Sequence, residues 1–123
     1  MSDAVVAVLP PRAASAARAR ELVTAQCAAW GLRGLCDDIA LVVTELVANA
    51  VRHAGTDIEI TITHITHGVR LEVKDGSRRP LRQRTALTSD EGGRGLLLVD
   101  ALSNRYGVVG EPDGKRVWVE MVA

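Results

Sequence analysis

The chain has 123 residues, enough for a single domain with a substantial hydrophobic core. Hydrophobic residues make up 47% of it, but aromatic residues only 2% and Phe none, so the core is expected to be aliphatic. Fifteen basic and fifteen acidic residues balance, which argues against general affinity for nucleic acids or membranes. Cys27 and Cys36 are too few for a zinc site and favour reduced thiols in a cytoplasmic protein. No segment has the length of a membrane span or the features of a signal peptide.

The chain is predicted to alternate between strands and helices, with a single long loop. In chain order we predict a strand at 5–9, helices at 13–30 and about 37–54, strands at 58–63 and 69–74, a loop at 77–92, a helix at 96–102, and strands at 105–109 and 117–122. A tight turn is expected at His67-Gly68 and another at 111–114. Strands joined by tight turns favour a mainly antiparallel sheet. We therefore predict an α+β fold, a two-layer sandwich with helices on one face.

The second predicted helix separates into two faces at about 100° per residue. One face is apolar and should pack against the core; it contains Ile39, Val43, Leu46, Val47 and Ala50. The neighbouring face is polar and contains Asp38, Glu45, Asn49, Arg52 and His53. A carboxylate, a carboxamide and an imidazole beside a buried surface could form a binding site. The alternative is a solvated helix face, with His53 complementing the helix dipole.

Two further segments could bind a ligand. Asp75 ends an apolar strand and precedes Gly76, so its carboxylate could accept a hydrogen bond from an exocyclic amine such as that of adenine. It could equally be an ordinary turn residue. The Gly-rich segment at 92–95 precedes a helix and could present free N–H groups to an anion. Its alternative is a flexible hinge.

The ordered set of these motifs resembles the GHKL or Bergerat-fold ATPases, which include gyrase B, MutL and the catalytic domains of histidine kinases. The motifs are Glu45-xxx-Asn49, Asp75-Gly76-Ser77 and Gly93-Arg94-Gly95. The chain is most similar to the branch of anti-sigma-factor serine/threonine kinases typical of actinobacteria. The segments that carry this likeness are DDIALVVTELVANAVRHAG, VKDGSRRP, GGRGLLLVDALSNRYGV and GKRVWVE. The resemblance implies a single ATP-binding domain over residues 1–123, with an ATP lid at 76–92.

The resemblance also implies a role for each motif. Glu45 would act as the general base on the attacking hydroxyl group, and Asn49 would coordinate Mg²⁺ at the ATP phosphates. Asp75 would accept the hydrogen bond of the adenine amine, with Ser77 close to the nucleotide. The nucleotide phosphates would be enclosed by Gly93, Arg94, Gly95 and Leu96. Additional phosphate or lid contacts are expected from Arg52, His53 and Arg84.

Two positions depart from the family pattern. Ser77 stands where the family usually has a glycine near the nucleotide. In the last-strand motif, many relatives have a threonine that supports the adenine site, and we assign Arg116 to that position. Both departures predict weaker binding of adenine.

The function implied by the resemblance is that of a cytoplasmic, ATP- and Mg²⁺-dependent serine/threonine protein kinase. It would phosphorylate an anti-anti-sigma protein of the STAS type and regulate a sigma factor by partner switching, without direct contact with nucleic acid or membrane. A homodimer is compatible with this role. One alternative is a regulatory module that binds ATP, or has lost that ability, and acts by contact alone. A stand-alone ATPase or a histidine-kinase catalytic domain is disfavoured, since neither a transducer domain nor a dimerisation helix pair with a phospho-acceptor His is evident.

Overall fold

The computed structural model describes residues 3–77 and 93–123. Their elements are β1 (Ala4–Leu9), α1 (Ala14–Ala29), α2 (Cys36–His53), β2 (Ile58–Ile65), β3 (Gly68–Asp75), α3 (Gly93–Leu102), β4 (Arg105–Glu111) and β5 (Gly114–Val122). Five strands form one antiparallel sheet in the order β1-β2-β3-β5-β4. The predicted α+β sandwich is confirmed, and β5 lies between β3 and β4.

The core lies between the sheet and the helices and is aliphatic, as the absence of Phe requires. The apolar face predicted for α2 is buried, and Val42 belongs to it as well. The sheet contributes one side of each strand, because successive side chains point to opposite faces. Its buried members include Ile58, Ile60, Ile62, Val69, Leu71, Val73, Val117, Val119 and Met121. None of the helices in the described part of the chain combines the length and the hydropathy of a membrane span.

Both cysteines are free thiols on the helical side of the molecule. Burial, with a smaller contribution from Cys36, raises the pKa of the Cys27 thiol to about 11. Cys27 is therefore protonated at neutral pH and behaves as a small apolar residue of the core.

The face of the sheet opposite the helices is charged. Arg70 donates a hydrogen bond to Glu120 over 2.7 Å, and Arg116 donates to Glu72 over 3.1 Å. The Arg70 guanidinium also lies 4.4 Å from the centre of the Trp118 ring. Individual ion pairs of this exposure stabilise little, but together they join β3 to β5 on the side away from the core.

The turn between β2 and β3 lies one residue earlier than predicted. The two residues between the strands are Thr66 and His67, and His67 adopts a positive φ of 61°. Gly68 is already part of the sheet. A Cβ atom at position 68 would overlap the carbonyl oxygen of Met121 on β5. This glycine therefore allows a close approach of two strands, which a local turn pattern does not reveal.

Candidate functional site

The polar face predicted on α2 runs from Asp38 in the first turn to the last turn of the helix. Glu45 and Asn49 are one turn apart and half-buried beside the buried apolar face. The ends of α2 suit the helix dipole, with two aspartates in the first turn and Arg52 and His53 in the last turn. Gly55 follows with a positive φ of 66°. The helix thus presents a carboxylate and a carboxamide side by side at the edge of the core.

The two side chains differ in their contacts. The Asn49 oxygen Oδ1 accepts a hydrogen bond from Arg52 Nη2 over 2.7 Å. A carboxamide oxygen has two acceptor positions, so this bond leaves one for a ligand. Within residues 3–77 and 93–123, we find no hydrogen bond or ion pair of the Glu45 carboxylate. Glu45 is thus able to accept a proton from a bound molecule.

Asp75 is the last residue of β3, and its side chain is only 4% exposed. Its Oδ1 accepts a hydrogen bond from the Ser77 backbone N–H over 2.8 Å, which is the local bond of a turn. Its Oδ2 lies 3.5 Å from Lys115 Nζ, whose side chain is 11% exposed. The local turn therefore explains the contact of Oδ1 but not that of Oδ2. The second oxygen faces a buried cation instead.

The backbone after Asp75 is held against the segment that precedes β2. The Gly76 N–H donates a hydrogen bond to Thr56 Oγ1 over 2.8 Å. A Cβ atom at position 76 would lie only 2.9 Å from two atoms of the Thr56 side chain. A larger residue here would have to displace the Thr56 side chain and the hydrogen bond that it accepts. Ser77, which follows, is buried next to Asp75, so the structure brings these two predicted site residues together.

Lys115 was missed by the sequence analysis because the last strand was expected to begin at residue 117. The strand begins at Gly114, where a Cβ atom would overlap the carbonyl oxygen of Asp75. This close approach makes Lys115 the cross-strand partner of Asp75. The sequence does contain a signal for this earlier start. From Val117 onward every second residue of the strand is apolar and faces the helices, and Lys115 stands two residues earlier in the same alternation.

The Arg116 side chain, which we assigned to the position of the family threonine, does not lie beside Asp75. Its guanidinium donates hydrogen bonds to Glu111 over 3.0 Å and to Glu72 over 3.1 Å, on the helix-free face of the sheet. The bond from Arg116 lowers the pKa of the Glu111 carboxyl group. Because neighbouring residues of a strand point in opposite directions, the side chain beside Asp75 is that of Lys115. The weaker adenine binding expected from Arg116 therefore loses its structural basis.

The third motif forms the start of α3. The helix begins at Gly93 and has no acidic residue in its first turn, so the free N–H groups of that turn could face an anion. α3 packs against α2, and Val99 is fully buried. The side chains at 93–96 lie outside the described residues, as do Arg84 and most of the expected lid, at 78–92.

A family model described as a histidine kinase-like ATPase domain matches residues 9–121. The match includes α2, the end of β3, α3 and β5. The chain belongs to this family. No curated protein matches the chain. The histidine kinase-like ATPase family uses ATP, so ATP binding is supported for this domain.

The donors of this histidine kinase-like ATPase domain fit a magnesium ion held together with a nucleotide. Asn49 offers a hard, neutral oxygen of the kind that Mg²⁺ accepts. In the described part of the chain, no group of three or more His, Cys, Asp or Glu side chains could hold a metal by itself. Most ligands of a cation here would thus be phosphate oxygens and water, as is usual for Mg²⁺.

Proposed function

We propose that this domain is an ATP- and Mg²⁺-dependent serine/threonine protein kinase of the anti-sigma type. It would phosphorylate a STAS-type anti-anti-sigma protein and regulate a sigma factor by partner switching in the cytoplasm. The observation that supports catalysis is the Glu45 carboxylate, one turn from Asn49 and without a hydrogen bond to any described residue. A module that had lost catalysis would have no need of such a base.

The proposed reaction assigns one task to each element. Asp75 would bind the adenine amine, and Asn49 would contribute an oxygen ligand to a Mg²⁺ bound together with the nucleotide. The acceptor hydroxyl oxygen forms a bond to the γ-phosphorus, the bond to the leaving ADP oxygen breaks, and Glu45 takes the hydroxyl proton. The N–H groups at the start of α3 stabilise the negative charge on the phosphates. Positioning and electrostatics are the main contributions a protein makes to phosphoryl transfer.

The test is a direct transfer assay. The full chain is incubated with Mg²⁺-ATP and purified STAS-domain proteins, and the products are analysed by intact-mass and peptide mass spectrometry. The proposal expects a mass gain of one phosphoryl group on a serine or threonine of one partner, and none when Mg²⁺ is chelated. Binding of ATP without transfer to any of the partners would favour the contact-only alternative.

The expected lid gives a separate prediction. Residues 78–92 include Arg78, Arg82 and Arg84, which are sites for trypsin. If the segment closes over the phosphates, Mg²⁺-ATP should slow cleavage at these arginines, because an ordered segment is a poor protease substrate. Time-resolved digestion with and without Mg²⁺-ATP, analysed by mass spectrometry, measures this. A short peptide substrate of trypsin, digested in the same two solutions, is the control for the protease itself. Cleavage of the segment at the same rate with and without Mg²⁺-ATP would contradict the lid.

One contact supports the alternative of a module that acts by binding alone. Arg52 donates a hydrogen bond to Asn49 Oδ1, which is the oxygen proposed to coordinate Mg²⁺. In a module without turnover, this bond would keep the metal ligand permanently engaged. The contact is exposed and joins neighbouring turns of one helix, so it is worth only a few tenths of a kcal/mol, and a nucleotide with its cation could displace it.

Arg52→Ala is therefore expected to tighten Mg²⁺-dependent ATP binding by about twofold, because it releases Asn49 Oδ1 at the cost of one weak bond. Calorimetry with and without Mg²⁺ measures the effect. Arg20→Ala removes the same charge from the exposed surface of α1 and is the matched control. A loss of affinity in Arg52→Ala alone would contradict this expectation and assign to Arg52 the phosphate contact predicted from the sequence.

A further inference from the structure

Lys115 is a buried cation at the base of the candidate site, and neither the motifs nor the proposed reaction gives it a task. We propose that Lys115 reads the adenine ring together with Asp75, by donating a hydrogen bond to the ring nitrogen N1 while Asp75 accepts one from the amine N6. Lys115 would thus be a specificity-determining residue. The inference rests on the proposed ATP-binding function and goes beyond it by naming the side chain that recognises N1.

The first support is the incomplete bonding of the Lys115 ammonium group. It has three N–H donors and no acceptor, and its side chain is 11% exposed. In the described part of the chain, its one polar contact is Asp75 Oδ2 at 3.5 Å. Among the described residues, no fully buried side-chain nitrogen or oxygen lacks a hydrogen-bond partner, so the remaining Lys115 donors are open to solvent or to a ligand. Lys115 therefore has donor capacity directed to the neighbourhood of Asp75.

The second support is the match between this pair and the edge of adenine. In adenine, the donor N6 and the acceptor N1 are adjacent on the edge that pairs in nucleic acids. Asp75 Oδ2 is an acceptor and Lys115 Nζ is a donor, and they lie side by side on neighbouring strands. When this edge of adenine lies across the two side chains, the N6 amine can donate to Asp75 and Lys115 can donate to N1.

The pair also predicts how guanine is rejected. Guanine has an acceptor, O6, where adenine has its amine, and an N–H donor at N1. In the orientation that suits adenine, O6 would face the Asp75 carboxylate, which is also an acceptor. The N1–H group would face the Lys115 ammonium group, which is also a donor. A site with buried polar groups discriminates strongly against ligands that leave those groups unpaired. Both Asp75 and Lys115 would therefore contribute to the preference for ATP over GTP.

The experiment compares ATP with 1-deaza-ATP, which has a C–H group in place of N1 and keeps the amine. Calorimetry of the wild-type chain with Mg²⁺ should give an affinity for 1-deaza-ATP about 10- to 100-fold lower than for ATP, the usual range for a hydrogen bond to a charged group. Lys115→Met keeps the length of the side chain and removes the donor. In this variant, the two nucleotides should bind within about twofold of each other.

A matched variant, a ligand without a base and a stability measurement separate a loss of N1 recognition from a loss of folding or of positive charge. Lys74→Met is the same substitution one residue before Asp75, but Lys74 pairs with Glu111 and Asp113 on the helix-free face. It should keep the full difference between ATP and 1-deaza-ATP. Tripolyphosphate has no base and should bind Lys115→Met and Lys74→Met equally, and thermal unfolding of each variant reports whether the fold is retained.

The outcomes separate this inference from the function on which it rests. If wild type binds ATP but does not distinguish it from 1-deaza-ATP, Lys115 does not read N1 and the inference is overturned, while ATP binding stands. If Lys115→Met lowers the affinity for ATP and the affinity for 1-deaza-ATP by the same factor, Lys115 only supports Asp75. The inference is then also overturned. If wild type does not bind ATP, the proposed function and the inference both fall.

Discussion

Asp75→Ala is expected to weaken ATP binding by about 10- to 100-fold, because the variant loses a hydrogen bond to a charged acceptor. The structure adds a second effect. The substitution leaves Lys115 buried without its carboxylate, and it removes the acceptor of the Ser77 N–H. Removing one partner of a buried ion pair costs up to about 3–5 kcal/mol. The single variant should thus lose stability as well as affinity, measured by urea unfolding and by calorimetry with ATP.

A double variant separates these two effects. Asp75→Ala combined with Lys115→Met removes both charges, so it should recover much of the free energy of unfolding. Recovery should be incomplete because the Ser77 N–H still lacks its acceptor. Affinity for ATP should not recover, since the acceptor for the adenine amine is still missing. Wild-type affinity in a folded double variant would show that Asp75 does not bind the base.

Glu45→Gln is expected to lower the rate of phosphoryl transfer by about 10²- to 10⁴-fold, the usual contribution of a general base. ATP affinity should stay within about twofold of wild type, because a base acts mainly in the transition state. Single-turnover transfer to the STAS partner and calorimetry with ATP measure the two quantities. Since Glu45 has no internal hydrogen bond among the described residues, the change should not affect stability.

The same helix offers a matched control. Asp38 lies two turns before Glu45 on the same side of α2 and is also half-buried. Asp38→Asn makes the same chemical change at a position with no proposed role, so it should transfer phosphate at the wild-type rate. Wild-type transfer by Glu45→Gln would exclude Glu45 as the base. A large loss in Asp38→Asn would mean that the charge of the helix matters more than the position of one carboxylate.

The sequence predicted the helical layer better than the ends of the strands. The buried face of α2 could be predicted because a period of 3.6 residues directly reports which side chains share a face. The start of β5 was placed too late, because the turn composition of 111–114 outweighed the alternation that Lys115 continues. Gly114 is in fact required by the close approach of the Asp75 carbonyl. That approach joins two strands far apart in the chain, and no local pattern contains it.

The candidate site was predictable where it depends on one element and not where it depends on two. The position of Glu45 and Asn49 on one side of α2 followed from their spacing on a single helix. The position of Asp75 at the end of β3 followed from the alternating pattern of a single strand. The partner of Asp75 depends on which strand lies beside β3 and in which register, so the sequence pointed to Arg116 when the structure has Lys115. Because successive side chains of a strand point to opposite faces, choosing Arg116 instead of Lys115 placed the predicted partner of Asp75 on the wrong face of the sheet.

The ion pair between Asp75 and Lys115 also bears on how the chain avoids misfolding. Displacing β5 along β3 by two residues would keep the apolar side chains facing the helices, so hydrophobic burial alone does not forbid it. Such a displacement would place Lys115 opposite Val73 or Ser77 instead of Asp75, and a buried charge would lose its counter-ion. Buried ionic groups are best documented as selectors of register. We therefore expect that the two residues at the base of the site also select the one correct alignment of the central strands.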